Sequence, residues 1–226
     1  MIWLSNRPAF KLSGRFMIKV KICGITRPED ALAAAEAGAD YLGLNFYPRS
    51  RRFVHPAAAG KIVRATESAG IKWVGVFVNE KIDRVQKIAR EVGLRLVQLH
   101  GEESKEYCRD LAGRNDRVEI IKTFRIRGED DIKSPGRFPA DFFLFDTYSA
   151  GYGGSGRAWD WEMLRGKKLP RKRLFLSGGL TPGNVREAIR LVRPYGVDVA
   201  SGVESSPGKK DRKKMVEFIN RVKSEK

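Results

Sequence analysis

The 226 residues, 42% hydrophobic and 31% charged, have the composition of a soluble globular protein with a sizeable core in one or two domains. Two cysteines, Cys23 and Cys108, argue against a disulfide framework and suit a reducing, cytoplasmic compartment, and no apolar run reaches the length of a membrane span. The net charge of +17 admits a nucleic-acid partner, an anionic small substrate or the charged surface of a thermophile protein, and identifies none of them.

Residues 1–16 lack the apolar core and small-residue cleavage site of a signal peptide and stand as an N-terminal extension of unknown role. From Met17 onward strand and helix patterns alternate roughly every 25 residues, as in serial βα units. The first strand shows Ile18, Val20 and Ile22 alternating with Lys19 and Lys21. A helix start follows, with Thr26 as N-cap, Pro28 in the first turn and Glu29 at the capping-box position. Strands are predicted over Ile18–Ile22, Tyr41–Phe46, Lys72–Val78, Leu94–Leu99, Val118–Phe124, Phe142–Phe145, Arg173–Leu176 and Gly196–Val199. Helices are predicted over Pro28–Ala37, Pro56–Ala69, Lys81–Val92, Ser104–Leu111, Pro182–Val192 and Asp211–Val222.

Two connections depart from the alternation: Gly128–Pro139 is broken by prolines and glycines, and Trp159–Leu164 is short, so both predict stunted or irregular helices. In the tail, Met215, Phe218, Ile219 and Val222 keep helical spacing, which assigns the lysines between Lys209 and Lys226 to a solvated face. Eight parallel strands in one domain over residues 17–226 predict an α/β fold, a (β/α)8 TIM barrel. The alternative, an open doubly wound sheet, often carries a glycine-rich fingerprint in its first turn. Here that turn reads Cys23-Gly24-Ile25-Thr26, and the glycine-rich turns fall after strands six, seven and eight.

Ligands of such folds bind at the carboxyl ends of the strands. There the sequence sets Cys23, Gln98, His100, Asp146, Asp198 and Ser201. Cysteine is often a small buried hydrophobe, but Lys21 two residues earlier on the same face points to a reactive thiol. An acid after Phe142-Phe143-Leu144-Phe145 is costly to bury without a partner, so Asp146 reads as functional. Gly153-Gly154-Ser155-Gly156, Ser177-Gly178-Gly179 and Ser201-Gly202 look like anion cradles. In the loop Tyr47 to Phe53, Arg49 and Arg51 read as solvated, while one arginine over the barrel mouth can fork onto a carboxylate. His55 and His100 lie in separate loops and form no metal-ligand cluster.

Beyond these residues, the stretches Val20 to Thr26, Gly43 to Phe53, Gly75 to Asn79, Val97 to Gly101, Asp146-Thr147, Tyr152 to Gly156, Leu176 to Leu180 and Val197 to Glu204 follow one another in an informative order. Through them the chain from Met17 resembles the phosphoribosylanthranilate isomerase family of tryptophan biosynthesis. The resemblance implies a barrel of the ribulose-phosphate-binding type that converts N-(5-phospho-β-D-ribosyl)anthranilate into 1-(2-carboxyphenylamino)-1-deoxyribulose 5-phosphate by an Amadori rearrangement. In that family a carboxylic acid opens the furanose ring and a cysteine thiolate removes the C2 proton.

Carried across, Asp146 is the general acid, Cys23 the general base, and Arg52 the holder of the anthranilate carboxylate. Lys21, His100 and Asp198 line the pocket, and Gly154, Ser155, Gly156, Gly178, Gly179, Ser201 and Gly202 hold the phosphate. The resemblance implies no cofactor and no metal, a phosphosugar substrate as the sole partner without nucleic acid or membrane, and a monomer or homodimer. The chemistry calls for Lys21 to lower the Cys23 pKa toward neutrality and for burial or a nearby anion to raise that of Asp146, or else for work through a minor population with both groups correctly set. Ala200 stands where the family often has serine. Other phosphate-binding barrels, such as indole-glycerol-phosphate synthase, would not require the pair Cys23 and Asp146.

Overall fold

Eight parallel strands close into a barrel in the order of the sequence. The structure, a computed structural model, describes residues 17–114, 118–132, 135, 138–148 and 160–225. The strands are β1 (Lys19–Cys23), β2 (Tyr41–Asn45), β3 (Lys72–Phe77), β4 (Leu96–Leu99), β5 (Glu119–Ile126), β6 (Phe142–Thr147), β7 (Leu174–Leu176) and β8 (Gly196–Val199). Closure comes from β1 pairing with β8, which sets Lys21 beside Asp198 in register. β4 and β8 are buried along their whole length, the signature of parallel strands covered on both faces. All eight predicted strands are present. β1 runs on to Cys23 and β6 to Thr147, so the thiol and Asp146 belong to strand ends rather than to the loops after them.

Among the described residues six helices cover the barrel: α1 (Pro28–Glu36), α2 (Pro56–Ala65), α3 (Ile82–Val92), α4 (Lys105–Ala112), α5 (Val185–Val192) and α6 (Arg212–Lys223). Their starts follow local chemistry: Ser104 accepts from the Tyr107 N–H and Asp211 from the Lys214 N–H. The predicted cap of α1 is corrected. Arg27 is the N-cap residue, and the Thr26 hydroxyl instead donates to the Gly208 carbonyl at 2.5 Å. Pro28 at N1 forces Arg27 into extended backbone, which moves the helix start one residue on. Where they are described, the two irregular connections are as expected, with 3-10 turns at Glu129–Ile132 and Trp161–Leu164 in place of longer helices; residues 133–134 and 136–137 of the first lie outside the described residues. Trp159, part of the second, lies outside the described residues.

One apolar layer fills the space between sheet and helices. A second cluster, Tyr41, Val74, Leu96, Ile121, Leu144 and Phe175, comes from the alternate strand positions and plugs the barrel interior. After β8 a short antiparallel hairpin, β9 (Glu204–Ser206) and β10 (Lys209–Lys210), leads into α6. Here the expectation of a wholly solvated basic tail is corrected: Lys210 is 4% exposed, because its ammonium finds acceptors inside the molecule. Among the described residues, no helix is long and apolar enough to cross a membrane.

Candidate active site

Above the interior plug the inward strand positions turn polar. Cys23, Arg52, His100, Asp146, Gly178, Gly179, Asp198 and Ser201 all line one cavity at the carboxyl ends of the strands. Lys21 lies one inward position below Cys23, fully buried, and its ammonium donates to Asp198 at 2.8 Å. Gly202 is outside the lining, at a spot where any side chain would collide with the Leu180 carbonyl. Gly154, Ser155 and Gly156 lie outside the described residues.

The thiol has room because of a glycine the sequence reading did not single out. A Cβ on Gly43 in β2 would stand 2.9 Å from Cys23 Sγ and 3.3 Å from Lys21 Nζ, closer than side chains tolerate. Glycine inside a strand is a sign of such close approach. Opposite, Gly178 and Gly179 follow β7 with φ of 92° and 67°, a backbone that residues with a Cβ avoid. Asn45, Ser50, Gln98 and Ser177 add polar walls.

The charges are ordered by burial. Burial works against the Lys21 ammonium, but Asp198 and Cys23 together outweigh it and hold its pKa above the ordinary value. Burial pushes the Cys23 thiol up, and Lys21, although hydrogen-bonded to it, does not compensate. The expectation of a thiol lowered toward neutrality is therefore corrected, the reason being burial first and the Asp198 carboxylate second, which together outweigh Lys21. Asp146 is raised to about 7, first by burial and then by Asp198. Its Oδ1 accepts from the Thr147 N–H at 2.8 Å.

His100 stands with Nε2 3.4 Å from Asp146 Oδ2. Burial, with Lys21, Lys122 and Arg125 around it, lowers its pKa to about 3, so the ring is neutral at physiological pH. The Gln98 amide nitrogen lies 2.9 Å from Nδ1 and can only donate, which puts the ring proton on Nε2, facing Asp146. Arg52 is held by a partner missed in the sequence: Nε and Nη2 donate to Glu204 at 2.8 and 2.6 Å. Glu204 closes a motif that was legible, but nothing in its spacing marked it as the mate of an arginine 152 residues away.

A half-buried thiol, a carboxyl poised near neutrality and a cradle of glycine turns can move protons on a small anionic substrate. Comparison with known proteins points the same way. The family model for N-(5′-phosphoribosyl)anthranilate (PRA) isomerase matches residues 20–221. The N-(5′-phosphoribosyl)anthranilate isomerase of Trichlorobacter lovleyi is 48% identical over 208 residues, covering 92% of this chain and 98% of its own. The crystal structure of phosphoribosyl anthranilate isomerase from Thermotoga maritima superposes with a TM-score of 0.81 at 45% identity, over 92% of this chain and 99% of that one. A structure of the isomerase in complex with reduced 1-(o-carboxyphenylamino)-1-deoxyribulose 5-phosphate gives 0.78 at 42% identity, with the same coverage. The chain belongs to the N-(5′-phosphoribosyl)anthranilate isomerase family.

Proposed function

We propose that this protein is the aldose–ketose isomerase that converts N-(5-phospho-β-D-ribosyl)anthranilate into 1-(2-carboxyphenylamino)-1-deoxy-D-ribulose 5-phosphate in the cytoplasmic synthesis of tryptophan. The observation that carries the reading is a carboxyl with a pKa of about 7 facing the same cavity as a thiol at the end of β1.

Asp146, protonated, gives its proton to the furanose ring oxygen as the C1–O bond breaks. The anthranilate nitrogen supplies the electron pair for the resulting Schiff base. The Cys23 thiolate then takes the C2 proton, and the C2–H electrons move toward C1 and nitrogen to give an enolamine. Proton return at C1 and loss of the enol proton leave the ketone, with no net change in atoms or charge. The substrate nitrogen is the electron sink, so the step calls for no cofactor. Lys21 stabilises the thiolate, and neutral His100 donates toward Asp146 once its proton has gone.

Arg52 takes the anthranilate carboxylate. The phosphate falls to the backbone of Gly178 and Gly179, to Ser201 and Gly202, and to Gly154, Ser155 and Gly156 of the preceding loop. Two left-handed glycines in succession support this, since no Cβ bars an oxygen from their N–H groups. The catalytic domain is residues 17–226, with residues 1–16 an extension to which no role is given. The charge of +17 then serves to draw in an anionic substrate rather than nucleic acid.

The test is to supply the purified protein with N-(5-phospho-β-D-ribosyl)anthranilate and follow its fluorescence. Disappearance with multiple turnovers, lost when Cys23 is alanine, is the expected result. No turnover by the folded protein, with tight salt-dependent binding to duplex DNA instead, would overturn the assignment.

A further inference from the structure

The β9–β10 hairpin has no part in the chemistry just described, yet it carries an ammonium that is buried and fully satisfied. Lys210 Nζ donates to the carbonyls of Cys23 at 2.6 Å and Ala200 at 3.1 Å, and to Glu204 Oε1 at 2.9 Å. Its three protons thus reach the end of β1, the end of β8 and the carboxylate that grips Arg52. Burial works against the Lys210 charge, and Glu204 is its main support.

Glu204 takes Arg52 along one edge of the guanidinium, through Nε and Nη2. The Arg52 stem is pressed over Gly24, where a Cβ would overlap Arg52 Cδ. Among the described residues no side chain takes the edge formed by Nη1 and Nη2, and Arg52 lines the cavity. Arg52 and Glu204 alone form a neutral pair, which attracts an anion weakly. Lys210 returns the group to one positive charge in excess, in a region where water screens little.

We propose that Lys210 is a positioning and specificity-determining residue: acting through Glu204, it fixes Arg52 with its outer edge toward the cavity and keeps the trio cationic, so that the site selects an aryl carboxylate. The inference rests on the reading of Arg52 as the carboxylate clamp. It differs from a plain structural brace, which would hold the ends of β1 and β8 together but leave the choice of substituent untouched.

The experiment measures inhibition constants for two reduced product analogues, one with the ortho-carboxylate on its aniline ring and one without it. The ratio of the two constants is the readout. Lys210→Met is expected to shrink the wild-type ratio at least about tenfold, as loss of one charge-assisted interaction does. Arg52→Ala should shrink it as much or more, and Arg52→Ala/Lys210→Met should fall no further than Arg52→Ala. Should Lys210→Met not fold, Lys210→Gln keeps donors for the carbonyls while removing the charge, and its ratio decides.

Lysine variants that weaken both analogues equally, keeping the wild-type ratio while Arg52→Ala collapses it, would reduce Lys210 to a brace and overturn the proposal alone. An unchanged ratio in Arg52→Ala would remove the clamp and the proposal with it. A wild-type protein that neither turns over the substrate nor prefers the carboxylated analogue would sink the function itself.

Discussion

Replacing Asp146 with asparagine should stabilise the protein at pH 8 while removing most of its turnover. In the folded chain this carboxyl titrates at about 7, against about 3.9 in an unfolded chain. Between those values the folded protein binds a proton that the unfolded chain has lost. Stability therefore falls as pH rises through that window, and the whole loss is felt above pH 7. Three units at about 1.36 kcal/mol each set the loss on the order of 4 kcal/mol. The side chain keeps 16% exposure, so part of that is relieved by water, and a gain of roughly 1–3 kcal/mol is expected for the asparagine variant. Asparagine retains an oxygen for the Thr147 N–H, while its amide nitrogen comes to face His100 Nε2, which takes part of the gain away. For a chain of this size the gain raises Tm by roughly 2–12 °C at pH 8, and by little at pH 4, where folded Asp146 is protonated and the unfolded carboxyl is about half so. His100 gives stability of the opposite slope, since its pKa of about 3 lies below that of an unfolded histidine, but it is present in both proteins. Thermal melts of the two proteins at pH 4 and pH 8 make the test. An asparagine variant that melts no higher than wild type at pH 8, or a gap that is the same at both pH values, would refute the reasoning.

Cys23→Ala should lower kcat about a hundredfold or more with the fold kept, as loss of a proton-transfer group does. Cys108→Ala, fully buried in α4 away from the cavity, should leave turnover almost intact and cost about 1 kcal/mol in an unfolding titration. Lys21→Met leaves Asp198 buried without the ammonium 2.8 Å away, at a cost of about 3–5 kcal/mol. The same change should push the Cys23 thiol further up, seen as slower alkylation by iodoacetamide at pH 8, because Lys21 is the main influence lowering it; faster alkylation would show that Lys21 does not support the thiolate.

The strands were legible because each is a short apolar run closed by a glycine, proline or polar residue, and the barrel followed from their number and the late glycine turns. The irregular stretch between β5 and β6 was legible for the same reason, since prolines and glycines break helical spacing. What escaped depends on contacts between distant residues. Arg52 was identifiable as an arginine over the mouth, but its grip by Glu204 joins the β2 loop to the hairpin after β8, and no local pattern encodes that. Lys210 sits in a lysine-rich tail where every neighbour suggests solvent, and only the convergence of two carbonyls and a carboxylate buries it. The Cys23 thiol is raised rather than lowered because the sequence shows Lys21 beside it but neither the burial of the strand end nor Asp198 across the barrel seam. Asp146 was legible in sign, as an acid after four apolar residues, although the like charge that helps raise it came from β8.

The division of labour between Cys23 and Asp146 is tested most directly by kcat/KM against pH from 6 to 10. An acid at about 7 that must be protonated and a thiol raised by burial that must be ionised are both set correctly in only a minor fraction of molecules. That fraction depends on pH as a bell. The account predicts a rate that rises up to about pH 7, levels off as Asp146 loses its proton there, and falls only in the alkaline range where the raised thiol ionises in turn. A rate that climbs steadily to pH 10 with no plateau and no falling limb would mean that no protonated acid is required, and would contradict the pairing of Asp146 with Cys23.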